Sequence, residues 1–209
     1  MTTQNNIILF DQSISSKLDE PKKIPVFFIG EPAERTRLGL AYIHDNSSQE
    51  DYDTARYHFK KAASEGHAHA KHCLGVMYEQ GDGVEKDLGI AAEWFLQSAE
   101  EGNFHAQNKL GHLYLNGDGV TQNNLEAVNW FKLAADHGDI NAQYCLGCMF
   151  RDGRGVRKDN ILAYMWWNLA AEQKNEYAFN NREVIADEMT KEEIDEAKRL
   201  SDEWTFERP

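Results

Sequence analysis

The chain repeats itself every 36 residues, and this period constrains its fold more than any other feature of the sequence. A shift by 36 superposes a leucine, the glycine after it and an aromatic residue four positions after the leucine. The four leucines are Leu38, Leu74, Leu110 and Leu146. A second block follows at the same period, and in the second unit it is Ala91, Trp94 and Phe95. A period of this length is typical of a repeat array, in which neighbouring units bury a continuous core.

Each unit is predicted to form two helices. In residues 70–80 the apolar positions Leu74, Met77 and Tyr78 recur at helical spacing. The glycines of Gly81-Asp82-Gly83-Val84 permit positive φ and predict a tight turn after this helix. Asp87 is then suited to cap the second helix, because its carboxylate can accept unsatisfied amide protons.

Small residues at fixed positions predict close helix packing. Glycine inside a helix costs roughly 0.5–1 kcal/mol relative to alanine. The repeated glycine of each first helix, such as Gly75 and Gly111, is therefore expected to allow a contact that a side chain would block. The tryptophans at Trp94, Trp130 and Trp166 share the period and are predicted to belong to the core.

These blocks resemble the Sel1-like repeat, a relative of the tetratricopeptide repeat. The pattern is A-x-x-x-L-G-x-x-Y, then G-x-G-V, then A-x-x-W-[FW]-x-x-[AS]-A, and we divide it into units 34–69, 70–105, 106–141 and 142–177. The resemblance implies an all-α fold, an α-solenoid forming a right-handed superhelix of paired helices. The first unit departs from the pattern, because its turn has no glycine and His58 replaces tryptophan; Lys174 replaces the last glycine of the fourth unit.

The two ends of the chain do not fit the repeat. Residues 1–33 contain the apolar run Val26–Ile29, which is expected either to cover the first unit or to dock on the groove or on a partner. Residues 178–209 are interpreted as a degenerate fifth first helix followed by a capping helix. Thr190 and Glu193 have the spacing of a capping box, and Ile194, Ala197, Leu200 and Trp204 form one apolar stripe.

Charge excludes some classes of partner. The net charge is −13, from 35 acidic and 22 basic side chains. Nucleic acid is therefore not expected as a partner, because its binding depends on neutralising phosphates. No apolar run is long enough to span a bilayer. Without a recognisable signal peptide and with three cysteines, the chain is expected in the cytoplasm, although a signal-less secretion route stays open.

Motifs for catalysis were sought without success. The sequence contains no S-x-x-K, G-x-S-x-G or H-E-x-x-H motif, so neither a catalytic residue nor a cofactor is assigned. Cys145 and Cys148 are spaced like half of a zinc site, but the second pair of ligands is missing. They are interpreted as small packing residues, as is Cys73, which occupies the position of Cys145 two units earlier in the array.

The remaining candidates lie on the first helices. If the tetratricopeptide geometry applies, these helices line a concave groove. The candidate partner-binding residues are His69, His72, His105, Asn108, His112, Tyr144 and Arg151. The favoured interpretation is a polar groove that hydrogen-bonds a peptide. A pH-sensitive contact and, as a minority option, a metal site at the histidines are the alternatives.

The family resemblance implies a non-catalytic scaffold or adaptor that holds a partner protein or peptide in this groove. A bacterial host-interaction or toxin-neutralising protein of the same fold is the second hypothesis. An enzyme or a small-ligand or metal-binding protein is the third, and it depends only on the histidines.

Overall fold

The computed structural model describes residues 31–206, which form ten α-helices without a strand. The helices are α1 (Pro32–Ala41), α2 (Gln49–Ser64), α3 (Ala68–Gln80), α4 (Leu88–Glu100), α5 (Phe104–Asn116), α6 (Asn124–Asp136), α7 (Ile140–Asp152), α8 (Asn160–Glu172), α9 (Glu176–Ala186) and α10 (Lys191–Phe206). The predictions for the apolar run Val26–Ile29 concern residues outside the described part.

The helices pair into four successive hairpins, α1–α2, α3–α4, α5–α6 and α7–α8. Each second helix also packs against the first helix of the next unit. This arrangement confirms the predicted all-α solenoid. Counted from the start of a first helix, one unit runs over residues 68–103, which is the same 36-residue period in a different phase.

The seam inside each hairpin is a glycine facing an aromatic ring. A Cβ atom added to Gly39, Gly75 or Gly111 would lie 2.5–2.6 Å from the ring of Phe59, Phe95 or Phe131, respectively. In the fourth unit Gly147 faces Trp167 in the same way. All four rings are fully buried. The repeated glycine therefore has the predicted purpose: it lets an aromatic side chain of the second helix lie directly on the backbone of the first.

The tryptophan that precedes this ring lies between units. Trp94 packs against the buried cluster that contains Phe59 and Leu74, and Trp166 is buried at the far end of the array. Trp130 is half-buried against the cluster around Phe95. Their prediction as core residues is confirmed, with the first two of the repeated tryptophans at the edge of the core.

The turn within each hairpin has a fixed geometry. Gly81 caps α3 in the left-handed conformation with φ 84°, and Asp87 caps α4 by accepting from the Ile90 amide. The second glycine of the turn allows a contact between units: Gly119 lies against the backbone of Leu88, where a Cβ atom would collide. Each such turn is thus fixed to the second helix of the unit before it.

At two places the sequence departs from the repeat, but other residues give the backbone a similar turn or cap. Lys174 adopts φ 68° at the position where other units have glycine. In the first unit Ser48 begins α2 with a reciprocal capping box to Asp51, so that helix is capped without the glycine turn.

The carboxyl-terminal helices close the array in an irregular way. Helix α9 continues the row of first helices, as predicted. Helix α10 packs on α8 instead of forming a hairpin with α9. The predicted capping box forms between Thr190 and Glu193, and Ala197 is buried against α8. Trp204 meets Trp166 edge-on, with ring centroids 5.8 Å apart.

The curvature of the array follows from which helices touch. First helices of successive units contact each other directly at α1–α3, α5–α7 and α7–α9. The second helices of the hairpins α1–α8 make no comparable contact with one another within residues 31–206. The first helices therefore approach one another more closely along the array than the second helices do.

Candidate functional site

The outward faces of α1, α3, α5, α7 and α9 form one continuous surface, which we call the first-helix surface. Its positions recur with the repeat but its residues change. One row along it is His69, His105, Asn141 and Tyr177, and another is Val76, His112, Cys148 and Val184. Side chains of neighbouring helices touch across the unit boundaries, as between His72 and His105 and between Tyr144 and Tyr177.

Three histidines form a cluster on α3 and α5. The ring of His72 lies 5.9 Å from that of His69 and 6.0 Å from that of His105, measured between centroids. His72 is only 5% exposed and also contacts Phe95, whereas the side chain of His105 is 56% exposed. Burial, together with the neighbouring His69, His105 and Lys109, lowers the pKa of His72 to about 3. His72 is therefore neutral at pH 7.

Residues at the position of His72 in the first and third units join one unit to the N-cap of the next first helix. Thr36 bonds His67 at 2.8 Å, and the Asn108 amide donates to Asp139. His67 and Asp139 are the N-cap residues of the following first helices. His72 has no such bond, and its Nδ1 atom is buried without a partner. An unsatisfied buried polar atom costs about 1–3 kcal/mol.

His112 and the cysteines lie further along the surface. His112 packs edge-on against Phe131, and its Nε2 atom is 3.9 Å from the Cys145 sulfur. Burial raises the pKa of Cys145 to about 12, with Cys148 and Asp139 adding to the effect. Within residues 31–206 no group of three or more His, Cys, Asp or Glu side chains is arranged to hold a metal ion. Burial therefore keeps the Cys145 thiol in its uncharged form.

The carboxyl-terminal end of the surface is aromatic. The Tyr144 and Tyr177 rings lie 6.3 Å apart, and Val184 follows two turns after Tyr177 on α9. Tyr177 is 74% exposed and Val184 is 65% exposed. Arg151 lies over the Trp167 ring at 5.7 Å and bonds Asp152 at 2.7 Å. This end thus presents a large apolar area beside a positioned guanidinium group.

Acidic residues are scarce on the first-helix surface, although the chain as a whole is strongly acidic. Among the positions predicted to point outward in units one to four, Glu79 is the only acidic residue. These fifteen positions are Thr36, Leu40, Ile43, His69, His72, Val76, Glu79, His105, Asn108, His112, Leu115, Asn141, Tyr144, Cys148 and Arg151. The Glu79 carboxylate accepts from the Lys109 amine at 2.6 Å. In units one to four the excess negative charge of the chain therefore lies mostly away from these positions.

The structure brings the seven candidate residues onto one side of the molecule, but at different depths. His105 and Arg151 are exposed, His69, His112 and Tyr144 are half-buried, and His72 and Asn108 are buried. Contact of any of them with a partner stays a prediction. Sequence reasoning missed Tyr177 and Val184, which a shift of 36 residues from Asn141 and Cys148 would have found.

Comparison with known proteins agrees with this architecture. The family model of the Sel1 repeat matches residues 36–67, 68–103, 104–139 and 140–175. A protective antigen present in uropathogenic Escherichia coli strains, which displays an SLR fold, is 36% identical, with a TM-score of 0.69. The match covers 73% of this chain and 32% of that one.

A Sel1 repeat protein from Oxalobacter formigenes is 32% identical, with a TM-score of 0.64 over 70% of this chain and 60% of that one. The chain thus spans about a third and three fifths of the lengths of these two relatives. No curated protein matches the sequence.

Four matched segments over most of the described residues define the class: the fold is a solenoid of Sel1 repeats. The chain belongs to the Sel1 repeat family, whose members are generally protein-interaction scaffolds. Within residues 31–206 no helix has the length and apolar character needed to cross a membrane.

Proposed function

We propose that this chain is a non-catalytic scaffold that binds a segment of a partner protein along the first-helix surface. The observation that supports this most directly is the continuity of that surface: side chains of successive first helices touch across the unit boundaries. A rigid surface of this kind lowers the ordering cost of association.

The aromatic end of the surface is the proposed anchor. Residues that dominate binding energy at interfaces are enriched in Tyr and Arg. Tyr177 combines high exposure with a neighbouring tyrosine, and Arg151 is held in place by Asp152 and Trp167. An apolar side chain of the partner would cover Tyr177 and Val184.

Binding without catalysis agrees with the state of the nucleophilic groups. Burial raises the pKa of the Cys73 thiol to about 12, as it does for Cys145. A catalytic cysteine needs the opposite shift, because the thiolate is the nucleophile.

Affinity capture from the native lysate tests this function. The variant His105→Glu/Arg151→Glu/Tyr177→Ala alters exposed or largely exposed groups on the first-helix surface. We expect it to retain less than a tenth of the partner that the native protein captures. The control variant is Tyr57→Ala, which removes a 59% exposed tyrosine on the second-helix side. Equal capture by the native protein and the triple variant would place the binding surface elsewhere.

The site of action is part of the same proposal. Three free cysteines suit a reducing compartment, so we place the chain in the cytoplasm. Cell fractionation checks this location. Recovery of the protein outside the cell would favour a second candidate, a host-interaction protein. That candidate is supported by the similarity to a protective antigen of uropathogenic strains.

A further inference from the structure

The second unit lacks a hydrogen bond that the units on either side of it make. The residue equivalent to His72 ties its unit to the next N-cap in the first and third units, through Thr36–His67 and Asn108–Asp139. In the second unit the equivalent N-cap is Asn103. Its side-chain oxygen accepts from the Ala106 backbone amide, and His72 makes no hydrogen bond to it. A buried polar atom without a partner in a native structure calls for an explanation, and a binding site is one.

The surroundings of His72 lack a negative charge. On its own helix it faces His69, and from α5 it faces His105 and Lys109; the α4 side contributes the uncharged Phe95. His67, ahead of α3, faces His69, and Glu79 is bonded to Lys109. Every titratable group that acts on His72 is thus neutral or cationic.

The carboxylate of Asp139, beside His105, is already used. One Asp139 oxygen accepts from the Asn108 amide and from the Ala142 backbone amide, and the other lies 4.0 Å from His105 Nδ1. Asp139 therefore lies beside the cluster, next to His105, and not among its three rings. The three rings consequently form a patch of potential N–H donors with no carboxylate between them.

We propose that the His69–His72–His105 cluster is the subsite of the first-helix surface that receives a carboxylate side chain of the partner, with uptake of a proton on binding. The inference rests on the proposed function and specifies one chemical group of the partner. A carboxylate accepts strong, charge-assisted hydrogen bonds from imidazolium groups. It also supplies the negative charge that favours the protonated form of nearby histidines.

The three rings differ in burial, and their roles in binding the carboxylate differ accordingly. His105 is more than half exposed and His69 is half-buried, so these two contact the carboxylate and one of them takes up the proton. His72 lies buried between them. Rotation of its ring about the Cβ–Cγ bond turns the unpaired nitrogen toward the bound group. The local scarcity of acidic side chains lets an acidic segment approach this part of an acidic protein.

The test uses nuclear magnetic resonance of the histidine side chains of the full chain. The probes are N-acetyl-glutamate amide, its neutral isostere N-acetyl-glutamine amide, and N-acetyl-glycine, which carries a chain-terminal carboxylate. Each is titrated at pH 6.0 and pH 7.5. One linked proton changes affinity by at most about tenfold per pH unit.

We expect N-acetyl-glutamate amide to shift the His69, His72 and His105 resonances saturably, with affinity at least fivefold higher at pH 6.0. The glutamine probe should give no saturable shift. The variant His105→Asn should weaken binding at least fivefold, whereas the matched surface change His137→Asn should leave it unchanged. Because both changes are on exposed side chains, loss of folding does not confuse the result.

Equal shifts by the glutamate and glutamine probes, tighter binding at pH 7.5, or an unchanged His105→Asn variant would each overturn the inference. Stronger binding of N-acetyl-glycine would overturn the assignment to a side-chain carboxylate. A protein that captures its partner through Tyr177 and Arg151, yet shows none of these shifts, retains the proposed function and loses this subsite.

Discussion

The seam inside the hairpins and the first-helix surface both follow the 36-residue period. The seam repeats the same contact in every unit, whereas the surface changes its residues from unit to unit. In the seam, Gly39, Gly75, Gly111 and Gly147 each face an aromatic ring, so four units repeat one contact. On the first-helix surface, the equivalent positions change from His69 and His105 to Asn141 and Tyr177. The comparison shows that the repetition builds the scaffold, while the departures from it distinguish this chain from another array of the same fold.

The largest expected effect comes from breaking the seam. Gly111→Leu would force a side chain into the Phe131 ring, 2.5 Å from where its Cβ atom would lie. We expect a loss of about 3 kcal/mol or more of the free energy of unfolding, because overpacking displaces a buried ring. Urea denaturation followed by circular dichroism measures it. The control is Gly102→Ala, where no atom lies within 4 Å and the positive φ is the sole cost. Equal losses in both variants would contradict the tight seam.

The link between units should be weaker than the seam. Asp139→Ala removes the N-cap of α7 and the acceptor for Asn108. We expect a loss of about 1–2 kcal/mol, against about 1 kcal/mol for Asp87→Ala, which removes a cap alone. A double-mutant cycle with Asn108→Ala isolates the pair. A coupling energy near zero would show that this bond does not hold the units together.

Acid should act mainly through the histidine-rich part of the surface. The folded-state pKa of His72, about 3, is below its ordinary value of 6.5. The unfolded chain therefore binds more protons, and stability falls as pH drops from about 6.5 toward 3. We expect a slope of up to about 1.4 kcal/mol per pH unit from this residue. The variant His72→Asn should lose most of this pH dependence of the free energy of unfolding, measured by urea denaturation at pH 7, 6 and 5. A slope equal to that of the native protein would contradict its assignment to His72.

The smallest effect is expected from a ladder of side-chain pairs that recur within the hairpins, each joining a first helix to the end of the second helix of the same unit. Arg35–Glu65 and Lys71–Glu101 are ion pairs, whereas Gln143 and Gln173 make a neutral bond at the equivalent positions. The double change Lys71→Gln/Glu101→Gln should alter the free energy of unfolding by less than about 1 kcal/mol, because partly exposed ion pairs contribute little. Thermal denaturation at low and high salt checks this. A loss of more than about 1 kcal/mol at low salt would mean that the charges of these pairs, and not only the positions of their side chains, contribute to the free energy of unfolding.

The fold could be predicted from the sequence because its causes are local and repeated. Leu74, Gly75 and Phe95 recur in register, and the contact that they make needs no information from outside one hairpin. The caps at Asp87 and Thr190 were likewise visible as side-chain types at fixed offsets. By contrast, the packing of α10 on α8 depends on a competition between distant surfaces, which no periodicity reports.

The site could be predicted only in part. The period and the family geometry place His69, His72 and Asn108 on the face of the first helices. They do not report how deeply each side chain lies between neighbouring helices, and His72 and Asn108 are buried. Likewise, the unpaired Nδ1 atom of His72 depends on ring orientation and on the failure of one bond to Asn103, which are properties of the packed structure.

The position of α10 also limits what can stack on the end of α8. A further hairpin would have to add to α9 and approach the end of α8, but α10 already occupies that end through Ala197, Ser201 and Trp204. Removal of α10 would uncover Met165 and Trp166 and leave a growing end onto which the first unit of another molecule could stack. Helix α10 thus covers an apolar end that a solenoid would otherwise leave open to other molecules.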